Sequence, residues 1–252
     1  MFPLKDQNPT RTVPFVNYCL LAANVAAFVL QLLWMGQSGE AAVVAGYGLV
    51  PTRLMFDPLG EAFTIFTSMF MHGGFAHLGG NLLYLYIFGD NVEDSLGHAR
   101  YLTFYLVCGV GAAFAQLLTG LSSQIAMVGA SGAISGVLGA YIVLFPRAPI
   151  LILNSIPLLW LFFGVFLSFP AWLVIGFWFI GNLLSGISTL GLREMGGVAF
   201  FAHIGGFLVG LLLVKPFSAQ RPRRDSFQWS GWRPPARRTP LSRSRYQAWR
   251  DD

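Results

Sequence analysis

The chain alternates long apolar runs with short polar breaks. The runs fall at about 13–35, 74–88, 99–119, 131–145, 170–187 and 197–214, and each predicts a helix in a membrane. The first is apolar except at Asn17, Asn24 and Gln31. The run starting at Ser131 covers about 15 residues, roughly 22 Å as a helix. A bilayer core is about 30 Å thick, so this helix is too short to cross unaided, and its first residue is expected below the membrane surface. The 74–88 run is short as well. Asp90, Glu93, Asp94, His98 and Arg100 cluster in the turn predicted between the second and third runs.

Two stretches are less regular. Residues 36–66 form a long connection that includes Tyr47-Gly48-Leu49-Val50-Pro51. Its length predicts local structure or a function of its own, and its apolar content places it on or partly in the membrane face. The uncharged stretch 148–192 is broken at Asn154-Ser155-Ile156-Pro157 and again at Ser168-Phe169-Pro170. A span is therefore expected at 170–187, with 150–168 as an interfacial or re-entrant segment.

Composition agrees with the pattern. Mean hydropathy is +0.60 and charged residues make up 11%, against about 25% in a soluble domain. Water-soluble fold classes drop out, leaving an all-α polytopic membrane protein. Cys19 and Cys108 both lie inside apolar runs and read as small hydrophobes. No signal-peptide cleavage pattern precedes the first run, so that run is expected to be retained.

Charge sets the expected topology. Ten of the sixteen Lys and Arg residues lie in 215–252, which the positive-inside rule assigns to the cytoplasm. Six spans then put the N-terminus inside too, with fourteen basic residues inside and only Arg53 and Arg193 outside. Seven spans would break that pattern. The expected organisation is a cytoplasmic N-terminus at 1–12, a six-transmembrane-helix bundle at 13–214 with a long first external loop, and a basic cytoplasmic tail at 215–252. The tail's Arg, Pro and Ser content predicts disorder, and its charge suits anionic lipid. An integral protein of the plasma or inner membrane is expected.

Under that topology the second, fourth and sixth runs all start at the outer face, and their polar residues lie near their starts. The second carries His77 and Asn81, one helical turn apart on one face. The fourth starts with Ser131 in Gly129-Ala130-Ser131-Gly132, and the sixth carries His203. Intramembrane polar and ionisable groups are costly and mark function. A serine needs a base within reach, and His203 is the candidate. An anionic tetrahedral intermediate needs donors, which the Ser131 N–H, His77 and Asn81 can supply. No carboxylate lies within a predicted span, and Glu194 is roughly 13 Å from His203 along a helix. A dyad is expected rather than a triad. His72, His77 and His203 could in principle hold a metal, but no H-E-x-x-H, carboxylate or thiolate accompanies them. No metal, cofactor or nucleic acid is expected. Ser135 is a second hydroxyl one turn deeper, with packing as its expected role.

Four blocks of the sequence resemble the rhomboid intramembrane serine proteases. His72-Gly73-Gly74-Phe75-Ala76-His77-Leu78-Gly79-Gly80-Asn81 is similar to the family's H-x4-H-x3-N, and Gly129-Ala130-Ser131-Gly132 to its G-x-S-G. Ala202-His203-Ile204-Gly205-Gly206-Phe207-Leu208-Val209-Gly210 is similar to its A-H-x-x-G-x-x-x-G. Gly97-His98-Ala99-Arg100-Tyr101, with Phe104-Tyr105 and Gly109, is similar to the start of its third span. The resemblance covers about 13–214. It implies Ser131 as nucleophile, His203 as general base, and His77 and Asn81 as oxyanion donors. It implies Glu93 as a structural acid tying loops, and Gly206 and Gly210 as the close contact between the sixth and fourth spans. The implied partners are a transmembrane protein substrate and the lipid bilayer, with cleavage near the outer face. Two departures are visible. Many relatives carry an aromatic residue four positions after the serine, packed on the histidine, where this chain has Ser135. Some carry a Trp-Arg pair in the first loop, which 36–66 lacks. The rival functions are a non-proteolytic scaffold that binds membrane helices, and a small transporter or channel lined by the Asn and His groups.

Overall fold

A computed structural model of the chain describes residues 2–154, 160, 164–189 and 198–218. Glu194, Arg193 and nearly all of the expected disordered tail lie outside the described residues. A short strand, β1 (Phe2–Asp6), leads into α1 (Phe15–Ser38). Four short helices follow: α2 (Glu40–Tyr47), α3 (Pro51–Phe56), α4 (Pro58–Glu61) and α5 (Thr64–Thr67), the last running into a 3-10 turn at Ser68–Phe70. The 36–66 connection thus has the structure of its own that its length predicts. Next come α6 (Phe75–Leu96), α7 (His98–Leu117) and α8 (Ser131–Leu144), then β2 (Pro149–Leu153) and β3 (Phe166–Pro170), then α9 (Ala171–Thr189) and α10 (Phe200–Ser218). Among the described residues, α1, α9 and α10 are long and apolar enough to cross a membrane, and α8 is a shorter apolar helix.

The core surrounds α8, in which Gly132 through Tyr141 are all buried. A helix apolar on every side belongs in the middle of a bundle. Glycine lets its neighbours come to backbone contact. A Cβ on Gly206 would overlap the Gly132 carbonyl, and one on Gly210 would overlap the Gly136 carbonyl. On the other side, a Cβ on Gly139 would overlap the Phe207 carbonyl. Small-residue packing of this kind holds helices together where lipid offers no hydrophobic drive. The contact that the resemblance implies between the fourth and sixth runs is present.

Helix α1 turns its polar residues inward. Its buried positions are Asn17, Leu20, Asn24, Phe28 and Gln31, which share one face, while Val25, Val29 and Leu33 are exposed. Asn17 Nδ2 donates to the Leu85 carbonyl at 3.0 Å, and Tyr101 Oη donates to Asn17 Oδ1 at 2.8 Å. Gln31 pairs with the backbone of His72 in both directions, at 2.7 and 2.9 Å. Two of the three residues that interrupt the first apolar run, Asn17 and Gln31, are therefore attachment points to other segments.

One sequence expectation changes, and two segments have structure that the sequence reading did not assign. First, α6 continues to Leu96 instead of stopping near Phe88, so Asp90, Glu93 and Asp94 lie on its last turns. Buried Glu93 accepts the backbone N–H groups of Val16 and Asn17 at 2.9 and 2.7 Å. Asp94 accepts from Thr12 N and Oγ1 at 3.1 and 2.7 Å. These carboxylates occupy the free N–H groups and positive end of α1, so the helix can carry acids past the apolar zone. Glu93 does tie two segments together, as the resemblance implies. Second, residues 1–12 are partly structured, because β1 pairs antiparallel with β2. Asp6, at the end of β1, accepts from Tyr141 Oη at 2.6 Å and Asn91 Nδ2 at 2.9 Å. Third, the 150–168 stretch is bounded by strands: β2 pairs antiparallel with β3 from Pro149↔Pro170 to Leu153↔Phe166. Residues 155–159 and 161–163 lie outside the described residues.

Candidate active site

Ser131 is the first residue of α8, and the loop before it is fixed by glycine. Gly129 has φ +128°, and its N–H donates to the Ser68 carbonyl at 2.8 Å. A Cβ there would stand 2.7 Å from His77 Nε2, so only glycine allows the loop and His77 to meet. At the start of a helix the Ser131 N–H has no intrahelical acceptor. Ser135, one turn on, is fully buried, and its Oγ donates to the Ser131 carbonyl at 2.6 Å. That is the packing role expected of it.

His203 lies in the first turn of α10, which the glycine contacts press against α8. Its Nε2 is 2.8 Å from Ser131 Oγ. The start of α10 is also held from α7, since Gln116 Oε1 accepts the Ala202 N–H at 3.1 Å. His77, in the first turn of α6, accepts the Gly73 N–H on Nδ1 at 3.3 Å. A neutral imidazole carries one proton, so this contact leaves the His77 proton on Nε2, the nitrogen that faces Gly129. Asn81 is buried, and its Nδ2 has no protein partner.

His77, Asn81, Ser131 and His203 line one cavity of about 910 Å³, which also reaches Tyr84, Gln116 and Trp178. The starts of α6, α8 and α10 thus meet at one end of the bundle, and the four residues singled out from the sequence come together. His72 adjoins them without joining them. It is fully buried, its backbone is held by Gln31, and its ring meets His77 edge-on at 5.2 Å. Among the described residues no cluster of His, Cys, Asp and Glu has the makings of a metal site.

The sequence reading missed two contacts to His203, both from α9. Asn182 Oδ1 lies 2.6 Å from His203 Nδ1. The Trp178 ring packs on the imidazole at 5.8 Å between centroids, with the planes inclined by 37°. The signal was available: Asn182 is an amide in an otherwise uncharged span, one turn after a tryptophan. The ring that many relatives place four residues after the serine comes here from another helix.

The Rhomboid domain model matches residues 59–220, which carry all of these residues. The chain belongs to the rhomboid family. It is therefore an integral membrane protein. Rhomboid protein 1, mitochondrial, of Saccharomyces cerevisiae is 31% identical over 222 residues, covering 82% of this chain and 56% of that protein. RHOMBOID-like protein 4 of Arabidopsis thaliana is 28% identical over 225 residues, covering 79% of this chain and 52% of that protein. Rhomboid protease GluP of Bacillus subtilis is 32% identical over 142 residues, covering 54% of this chain and 27% of that protein. The chain spans about half the length of the first two rhomboid relatives and about a quarter of the third.

Proposed function

We propose that this rhomboid is an intramembrane serine endopeptidase, with Ser131 as nucleophile and His203 as general base. The observation that carries the reading is the 2.8 Å approach of His203 Nε2 to Ser131 Oγ, in a cavity that also holds an unpartnered donor. A buried polar group without a partner costs about 1–3 kcal/mol. Asn81 Nδ2 is such a group, and an incoming oxyanion would satisfy it. His77 Nε2–H and the Ser131 N–H are the other two donors.

On this reading Oγ attacks the scissile carbonyl carbon as its proton passes to His203 Nε2. The carbonyl oxygen becomes an oxyanion among the three donors. His203 then protonates the departing amine, and water releases the acyl group from Ser131 by the same steps in reverse. The substrate is a transmembrane protein cleaved near the outer face. The 13–214 domain crosses the bilayer six times, with both termini in the cytoplasm. The name Rhomboid protease GluP supports the activity by family membership.

The test is a fluorescent serine-directed phosphonate on the purified protein, alongside cleavage of a transmembrane reporter. Ser131 is expected to be labelled, and Ser131→Ala is expected to abolish both labelling and cleavage while the protein stays folded. A wild-type protein that neither labels nor cleaves would leave the scaffold that binds membrane helices as the better account.

A further inference from the structure

We infer that Asn182 is a positioning residue for the proposed reaction, holding His203 in the tautomer and ring orientation that a base toward Ser131 requires. The inference rests on the Ser131–His203 reading, a dyad in which, among the described residues, no acid bonds the imidazole.

A second hydrogen bond fixes the direction of the amide. Asn182 Nδ2 donates to the Trp178 carbonyl at 2.8 Å, so its NH₂ faces back along α9. Oδ1 therefore faces His203 Nδ1, 2.6 Å away. A carbonyl oxygen can only accept, so Nδ1 must carry the proton. The neutral ring then presents the Nε2 lone pair to Ser131 Oγ at 2.8 Å. The opposite tautomer would set the Nδ1 lone pair against Oδ1 and point Nε2–H at the hydroxyl it should deprotonate. Trp178, one turn before Asn182, sets its ring beside the imidazole at a 37° tilt and limits its rotation. Helix α9 thus supplies both an acceptor and a ring to His203. The amide orients the imidazole without adding a formal charge to the membrane, where a carboxylate is costly.

The experiment uses the full chain in detergent. Asn182→Leu keeps similar bulk and removes the acceptor, whereas Asn182→Asp keeps an acceptor oxygen at the same reach. Loss of a partner that orients a metal-bound histidine typically costs about 10–100-fold, and a loss on that scale is expected for this one. Asn182→Leu is expected to lower kcat for the transmembrane reporter by that factor with KM little changed, and to slow phosphonate labelling of Ser131 in parallel. Asn182→Asp is expected to recover most of the loss. A second readout is independent of turnover: ¹⁵N spectra of labelled histidine, with His203 assigned by its absence in His203→Gln. The neutral wild-type ring is expected as the Nδ1–H tautomer, and Asn182→Leu as a mixture. Wild-type activity in Asn182→Leu, an equal loss in both variants, or an Nε2–H ring in the wild type would each overturn the inference. If the wild type neither cleaves nor labels, the nucleophile assignment fails, and the tautomer spectra still decide the role of Asn182.

Discussion

The four residues at the site are not equally replaceable. Ser131 makes the proposed covalent bond and His203 moves the proton, so Ser131→Ala and His203→Ala are each expected to abolish reporter cleavage. The oxyanion has several donors, one of them a backbone N–H that no side-chain change removes. His77→Ala and Asn81→Ala are expected to slow cleavage by about 100- to 1,000-fold each, measured as kcat/KM on the same reporter. Equal and total loss in all four folded variants would move His77 or Asn81 into the proton path. Gly129→Ala belongs with them. Its φ of +128° and the 2.7 Å approach of an added Cβ to His77 Nε2 should displace the serine loop and cut activity, with phosphonate labelling as the check. These residues were legible in the sequence because each is a polar exception near the start of an apolar run. Asn182 is the same kind of exception, but it lies in the middle of its run. Its meaning depends on α9 and α10 meeting in space, and no spacing along the chain reveals that.

The helices were legible where burial alone determines them. The apolar runs locate α1, α7, α8, α9 and α10 to within a few residues, since an unpaired backbone in lipid has no alternative to the helix. The end of α6 was missed because a helix need not stop where the apolar sequence stops. Its acids persist because Glu93 and Asp94 receive the N–H groups at and before the start of α1. Strand β1 was missed because Phe2-Pro3-Leu4-Lys5-Asp6 contains a proline and two charges. It is an edge strand, where proline is tolerated, and its partner β2 is far along the chain. Two variants test these element contacts. Glu93→Ala leaves two N–H groups at the start of α1 without acceptors and should cost about 2–3 kcal/mol, read as a lower unfolding temperature with reduced activity. Gly206→Ala puts a methyl against the Gly132 carbonyl and forces α10 away from α8. Overpacking of this kind costs about 1–3 kcal/mol, and cleavage should fall further than stability because His203 moves away from Ser131.

At the scale of the whole molecule, structure and charge each supply half of the topology. The starts of α6, α8 and α10 define the site end through the Ser131–His203 contact and the closeness of His77 to Gly129. The opposite end gathers other groups. Asp6 of β1 reaches Tyr141, ten residues beyond Ser131 on α8. Arg100, in the first turn of α7, donates to the Phe217 carbonyl near the end of α10 at 3.4 Å. The N-terminal strand and the last turn of α10 therefore share the end away from the site, whatever the orientation in the bilayer. The proposed choice of the cytoplasmic end rests on the basic residues. Lys5, Arg11, Arg100, Arg147 and Lys215 lie toward the end opposite the site, and nine more arginines follow Lys215 in the sequence. Each basic residue near an anionic cytoplasmic leaflet contributes about 1 kcal/mol, so fourteen against two is a large bias. Reporter fusions ahead of residue 10 and after residue 217 are expected to report a cytoplasmic location for both, and a cysteine placed at Leu121 should be labelled from outside. Termini on opposite sides would contradict the bundle itself. Termini together on the outside would keep the bundle and invert it, and cleavage would then occur near the cytoplasmic face.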